Sequence, residues 1–308
     1  MKVAVLMGGM SAEREVSLET GSAVAAALRE LGHEALEIDA DRELPLKLAK
    51  AKPDVAFLAL HGRGGEDGTV QGMLEVMRIP YTGCGVLSSA MAIDKVVAKE
   101  ILAHNGLPVA EEVVLSRVRA TGELELAGVE LGFPLMVKPA CEGSSIGVVK
   151  VGSTEELERV LPQAFERDER VMLERFIDGR LFTVGVLGSE PTVLPVLEIV
   201  TTESFYDFTA KYQPGKSEYI VPADLDPGHT AEAQGIALDS FRCLFCEGIS
   251  RIDLMLETST GAWYVLEVNT MPGMSVLFPK AAAAAGMSFN DIVATVLEGA
   301  RLKIELEG

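Results

Sequence analysis

The chain has too few cysteines to be held together by them. Its four, Cys84, Cys141, Cys243 and Cys246, are spread irregularly over 308 residues, which excludes a disulfide framework and fits a reducing cytoplasm. "CLFC" at 243–246 has C-x-x-C spacing but lacks the second Cys or His pair of a zinc site, and it reads as part of a helix. No apolar run approaches the roughly 18 residues of a membrane span, and "MKVAVLMGG" reads as a first strand rather than a secretory leader. Basic residues are also scarce. With 27 Lys and Arg against 46 Asp and Glu, the net charge of −19 argues against nucleic acid or an acidic membrane as partner. A small anion held in a locally basic pocket stays compatible with that charge. Two phosphate-binding signatures are missing as well. There is no G-x-x-x-x-G-K-[ST], and the glycine-rich "HGRGGEDGTVQG" at 61–72 carries Asp67 where G-x-G-x-x-G needs its last glycine.

What is present is an ordinary globular composition, 48% hydrophobic and 24% charged, in a chain long enough for two or three domains. The first third alternates strand and helix signals. "KVAVLMGG" is followed by a helical face of Val24, Ala27, Leu28 and Leu31, then by "EALEID" and "VAFLALHG". This is an α/β pattern with a parallel sheet, whose ligand loops lie at the strand carboxyl ends. From about Val109 the strands shorten ("PLMVKPA", "IGVVKV", "RVMLERF") around one helix, "STEELERVLPQAFER", which is an α+β unit. The last part holds "TVGVLG" and "VLPVLEIV", a polar loop over 201–224, a helix over 231–246, a hairpin and the closing helix "SFNDIVATVLEGARL".

Four stretches carry chemistry. In the hairpin "RIDLMLETSTGAWYVLEVNT" (251–270), period-two alternation sets Arg251, Asp253 and Met255 opposite Ile252, Leu254 and Leu256. On the return strand it sets Leu266 and Val268 opposite Val265, Glu267 and Asn269. Asp253, Glu267 and Asn269 are hard oxygen donors suited to Mg²⁺, and Arg251 beside them can stabilise charge on a phosphoryl group. A solvent-facing polar face with an Arg–Asp ion pair fits the same residues. "KPACEGSSIGVVKV" (138–151) reads as a loop whose N–H groups wrap phosphate, or as a plain β-turn. "GGMSAEREVS" brings Glu13 to the approach of a helix, either to complement its dipole or to hold an ammonium. "SFYDFTAKYQPGKSEYIVP" (204–222) is long enough for a lid, with Phe205, Lys211 and Tyr212 as its candidates, or is a packed surface loop.

In their order along nearly the whole chain, "GGMSAEREVSL", "HGRGGEDGTVQGMLE", "YTGCG", "MAIDK", "VKPACEGSSIGV", "FYDFTAKY", "RIDLML" and "LEVNTMPGM" closely resemble the D-alanine–D-alanine ligases of the ATP-grasp superfamily. The resemblance implies an N-terminal parallel-sheet (pre-ATP-grasp) domain over 1–96. A two-part α+β ATP-grasp fold over 97–182 and 183–308 would follow it. It implies ATP contacts from Lys95, Lys138, Glu174, Arg175, Phe176, Ile177, Phe205, Lys211, Met255 and Leu266. Asp253, Glu267 and Asn269 would hold two Mg²⁺ ions, with Mn²⁺ as a substitute. Glu13, Ser144, Tyr212, Arg251 and the Gly273 N–H are the implied catalytic groups. Glu13, His61, Ser275 and Leu277 would contact D-alanine, although a structural role fits His61 equally. A cytoplasmic homodimer is implied too, with no nucleic-acid or membrane partner.

Two departures from the family pattern stand out. Leu181 occupies a position where the family has Glu near the ribose, and "PGMSVLFP" is two residues shorter than the family's turn around the second substrate's carboxylate. The alternatives are a ligase using D-lactate or D-serine as nucleophile and a non-catalytic ATP-binding regulator. A nucleotide-dependent dehydrogenase, suggested by the glycine-rich first domain and Asp39, is disfavoured by the broken glycine motif.

Overall fold

The computed structural model describes residues 1–117, 131–143, 146–201 and 217–304. The first part runs β1 (Lys2–Met7), α1 (Arg14–Glu30), β2 (Glu34–Asp39), α2 (Leu44–Ala51), β3 (Val55–Leu58), α3 (Thr69–Met77), α4 (Val86–Ile93) and α5 (Lys95–His104). Strands β2, β1 and β3 pair in that order, all parallel. A parallel sheet is covered on both faces, and β1 shows this residue by residue. Val3 and Val5 pack with α1, while Ala4 and Leu6 face the opposite cluster with Leu44, Leu48 and Leu74.

Next come β4 (Glu112–Ser116), β5 (Leu135–Pro139), β6 (Val149–Val151), α6 (Thr154–Arg167) and β7 (Arg170–Arg175). These strands form an antiparallel sheet in the order β4-β7-β5-β6. Ser153 caps α6 by accepting from Glu156 N, and Leu157, Leu161, Ala164 and Phe165 bury its apolar face against the sheet. The remainder is β8 (Gly179–Gly188), β9 (Thr192–Val193), β10 (Leu197–Thr201), β11 (Ser217–Ile220), α7 (Pro227–Cys243), β12 (Gly248–Glu257), β13 (Trp263–Asn269), α8 (Leu277–Ala284) and α9 (Phe289–Glu298). Its antiparallel sheet is ordered β11-β10-β8-β12-β13, with β9 on β8. Among the described residues no helix is long and apolar enough to cross a membrane.

The structure departs from the sequence expectations in three places. The stretch over 201–224 contains β11, whose alternating Ser217, Glu218, Tyr219 and Ile220 pair with β10. Helix α7 starts at Pro227 rather than at 231, because Asp226 accepts from the Gly228 and His229 N–H groups at 2.8 and 3.1 Å and proline suits the first turn. It ends at Cys243. Phe245 has φ of 54°, so Cys246 lies beyond the helix, buried beside Cys84, and all four cysteines are free. Helix α5 runs unbroken across 96/97 and strand β8 across 182/183. Finally, α8 and α9 bury Phe278, Ile292, Val293 and Val296 with Val3, Val5 and Phe57 of the first sheet. The chain's last helices therefore seal one face of its first strands.

Candidate active site

The β12–β13 hairpin organises the site. Arg251 pairs with Asn269 and Asp253 with Glu267, but a bulge follows, so that Leu254 meets Val265 and Leu266 is the extra residue. An extra residue reverses the facing of everything on its far side. Val265 and Trp263 therefore join Ile252, Leu254 and Val268 in the core, whereas Leu266 turns with Glu267 into a cavity. Strict alternation put Leu266 on the core face and Val265 with the acids, and the bulge overturns that.

Two cavities open on the polar face of the hairpin. The larger, about 360 Å³, lies between the four-stranded sheet and the six-stranded sheet, within the size range of small-molecule sites. Lys95, Lys138, Glu174, Phe176, Ile177, Met255 and Leu266 line it, together with Asp253 and Glu267. Arg175 is not among the lining residues. Its neighbours on β7 face the other way, and its guanidinium pairs with Glu257 at 2.8 Å and lies over Tyr264. Asp94 caps α5 through Val97 N, which sets Lys95 at the helix start with its ammonium on the Glu142 carbonyl. Glu174 is buried and bonded to both Lys99 and Lys138. Burial opposes its ionisation, yet the two ammonium groups outweigh that and hold the carboxyl below its ordinary value. Leu181 lines the wall, so an apolar side chain stands there.

The smaller cavity, about 100 Å³, is lined by Glu13, His61, Glu66, Gly143, Arg251, Asn269, Gly273, Ser275 and Leu277 among others. Glu13 stands at the start of α1, and its side chain makes no capping hydrogen bond there. Its carboxylate is wedged between Gly62 and Gly143, where a Cβ on either glycine would lie 2.6 or 2.5 Å from Oε2. His61 donates Nδ1–H to the Met271 carbonyl at 3.1 Å, and its Nε2 lies 3.3 Å from the Thr20 hydroxyl. Both ring nitrogens are engaged by protein. Ser144, Phe205, Lys211 and Tyr212 lie outside the described residues.

Arg251 makes a two-pronged bond to Asp253, Nε and Nη2 each at 2.8 Å, and Thr183 Oγ donates to Asp253 at 2.7 Å. The Asn269 amide nitrogen points to Asp253 and the Arg251 carbonyl, both at 3.4 Å, which leaves its oxygen as an acceptor. Two carboxylates directly across a strand pair repel. Arg251 offsets one of them, and a divalent cation among Asp253, Glu267 and the Asn269 oxygen would offset both. The donor set fits Mg²⁺, which takes few protein oxygens and keeps the rest of its shell for phosphate and water. Among the described residues no group of three or more His, Cys, Asp or Glu is placed to hold a metal ion, and the hairpin offers two carboxylates and one amide oxygen.

Sequence reasoning missed several lining residues. Arg180, Glu198 and Ile199 enter the larger cavity because β8 and β10 are its wall, and Tyr219 and Glu66 enter the smaller. Only Glu66 carried a signal, as the one Glu within the glycine-rich stretch after β3.

Comparison with known proteins identifies relatives along the chain. Residues 41–84 match the family model "D-ala D-ala ligase N-terminus" and residues 101–298 the model "D-ala D-ala ligase C-terminus". D-alanine--D-alanine ligase of Syntrophotalea carbinolica is 48% identical over 98% of this chain and 97% of its own. The crystal structure of D-alanine--D-alanine ligase from Bacillus anthracis superimposes with a TM-score of 0.86 at 36% identity, covering 97% of each chain. Its ATP complex gives 0.85 at 34%. The VanG D-Ala:D-Ser ligase of Enterococcus faecalis reaches 0.85 at 30% identity over 96% of this chain and 98% of its own.

Proposed function

Because this chain belongs to the D-alanine–D-alanine ligase family, we propose that it joins two D-alanines into D-alanyl-D-alanine with ATP, for peptidoglycan precursor synthesis. One observation carries the reading. The polar face of the hairpin is continuous across both cavities: Asp253 and Glu267 line the larger, Arg251 and Asn269 the smaller. Residues two apart on a strand stand roughly 7 Å apart, so a phosphate in one cavity and a carboxylate in the other meet on a single strip of protein.

The steps follow from charge. The first D-alanine lies in the smaller cavity with its ammonium on Glu13. Its carboxylate attacks the γ-phosphorus of ATP, giving an acyl phosphate and ADP. The second D-alanine's ammonium gives up a proton, the free amine attacks the acyl carbon, the C–O bond to phosphate breaks, and the nitrogen loses its second proton to the departing phosphate or to water, leaving the dipeptide. In the first step an anion approaches an anion, so Lys95, Lys138 and Arg251 must offset the repulsion. Mg²⁺, or Mn²⁺ in its stead, would be held as two ions by Asp253, Glu267 and Asn269, and when bound it neutralises phosphate charge and aligns the transferring group. Arg251 and the Gly273 N–H then stabilise the oxyanion of the tetrahedral intermediate. In this reading Phe176, Ile177, Met255 and Leu266 enclose the adenine, with Glu174, Arg175 and Phe205 as its further contacts. Lys211, Ser144 and Tyr212 complete the closed site. His61 shapes the wall while Ser275 and Leu277 meet the second substrate.

Three units over 1–96, 97–182 and 183–308, a homodimer and a cytoplasmic location belong to the same reading. A second reading is favoured by the short turn "PGMSVLFP" and the likeness to a D-Ala:D-Ser ligase: the same first step, with D-serine as nucleophile. Mass detection of the product formed from mixed D-alanine and D-serine distinguishes the two. D-Alanyl-D-alanine as the main product supports the first reading, and D-alanyl-D-serine the second.

A further inference from the structure

Beneath the larger cavity lies a cluster of four charged groups, two of which, Lys99 and Glu112, line neither cavity. Lys99, on the buried face of α5, is 3% exposed. Its ammonium donates to the Ala110 carbonyl at 2.9 Å and to Glu174 Oε2 at 2.5 Å, and lies 2.7 Å from Glu112 Oε2. Two of its three N–H groups are hydrogen-bonded, and Glu112 Oε2, buried and without a hydrogen-bond partner among the described residues, is held by charge alone. Glu174 Oε1 accepts from Lys138, which does line the cavity. Glu112 and Glu174 are direct partners across β4 and β7, a placement in which two carboxylates repel. Burial pushes the Glu112 carboxyl up, while at Glu174 the lysines overcome burial. The charged groups facing this pair are Lys99 from α5 and Lys138 from β5. Two ammonium groups against two carboxylates sum to zero.

We propose that Lys99 is a positioning residue for the nucleotide: by neutralising Glu112 and Glu174 together, it leaves Lys138 able to turn its ammonium to the phosphates. The proposal rests on the reading of the larger cavity as the ATP site. Without Lys99 the cluster carries one net negative charge beneath a polyanion. Lys138 is then the sole counter-ion of two carboxylates and is drawn away from phosphate. Taking up one proton relieves this, so the defect weakens as pH falls.

The test is calorimetric titration of ATP with Mg²⁺, without D-alanine, from pH 6 to 8.5, on the wild type, Lys99→Met and Lys99→Met/Glu112→Gln. Wild-type affinity is expected to stay nearly flat with pH. Lys99→Met at pH 8 should bind on the order of 10- to 100-fold more weakly, the worth of one charge-assisted hydrogen bond, and should approach the double variant as pH falls to 6. The double variant should be weakened by less and show no slope. In turnover assays the KM for ATP should rise while that for D-alanine holds. A Lys99→Met protein that binds like wild type at every pH overturns the proposal, as does a weakening without slope that Glu112→Gln fails to relieve. If Lys99→Met does not fold, Lys99→Gln replaces it with the same loss of charge: ATP binding several-fold weaker at pH 8 than at pH 6 supports the proposal, and wild-type affinity at both overturns it. Failure of the wild type to bind ATP overturns the cavity reading and this proposal together, whereas wild-type binding beside an unaffected variant overturns the proposal alone.

Discussion

Gly143→Ala is expected to damage D-alanine binding while leaving the protein folded. A Cβ at Gly143 would lie 2.5 Å from Glu13 Oε2, where ordinary contact begins at 3.4 Å, so the carboxylate must retreat by about 0.9 Å (3.4 − 2.5). The retreating atom is the tip of a flexible side chain, and Gly143 has no positive φ. The stability cost should therefore stay below about 1 kcal/mol, under the usual range for overpacking. Function is less forgiving, because a misplacement of about 1 Å in a substrate-positioning group can reduce rate on the order of 10²-fold. Initial-rate ADP release at saturating ATP, with D-alanine varied, should show kcat/KM for D-alanine reduced by about that factor, with the KM for ATP unchanged. Gly62→Ala places its Cβ 2.6 Å from the same oxygen but at φ +69°, so it should lose activity and also about 1–2 kcal/mol of stability from the left-handed backbone. If Gly143→Ala keeps kcat/KM for D-alanine within about threefold of wild type, Glu13 does not grip the ammonium.

Gly235→Ala serves as the opposite control. Gly235 sits on the exposed side of α7 with nothing near its Cβ position, so the change should stabilise by about 0.4–1 kcal/mol in thermal melts with kinetics untouched. The Arg14–Asp39 pair predicts an acid-limb effect. Arg14's hydrogen bonds hold the Asp39 carboxyl at about 2, so its contribution is present above the unfolded value near 3.8 and is lost as pH falls toward 2. Both side chains are more than a third exposed, so Arg14→Met should lower stability only slightly in denaturant titrations, and only above that window. Glu267→Gln should lower kcat by on the order of 10²-fold or more, since it removes one of two facing carboxylates that would hold the cation. Chelation with EDTA should stop ADP release, with recovery on adding Mg²⁺ or Mn²⁺.

The strands of the first sheet were legible because parallel strands buried on both faces read as unbroken apolar runs, and Val3–Met7 is such a run. The hairpin acids were legible by their type, but the facing of Leu266 was not. One bulge residue reverses it, and no residue between Val265 and Glu267 announces a bulge. Lys99 was invisible for a related reason. In "KVVAKEIL" a lysine reads as a solvated helix charge, and only the folding of β4 and β7 over α5 brings Glu112 and Glu174 to it. Strand β11 was hidden inside a polar stretch because its pairing with β10, rather than an apolar pattern of its own, makes it a strand. Asp226-Pro227, by contrast, is a helix start that local chemistry announces.

The most direct measurement is ADP release by the purified protein with ATP and Mg²⁺, comparing D-alanine alone, D-alanine plus D-lactate or D-serine, and L-alanine, with mass detection of the product. Turnover with D-alanine alone and recovery of D-alanyl-D-alanine is the predicted result, and it would show that the short turn at 271–279 still receives the second substrate. No turnover with D-alanine alone, but activity once another nucleophile is added, would contradict the second-substrate assignment. No ADP in any mixture would contradict ligation itself.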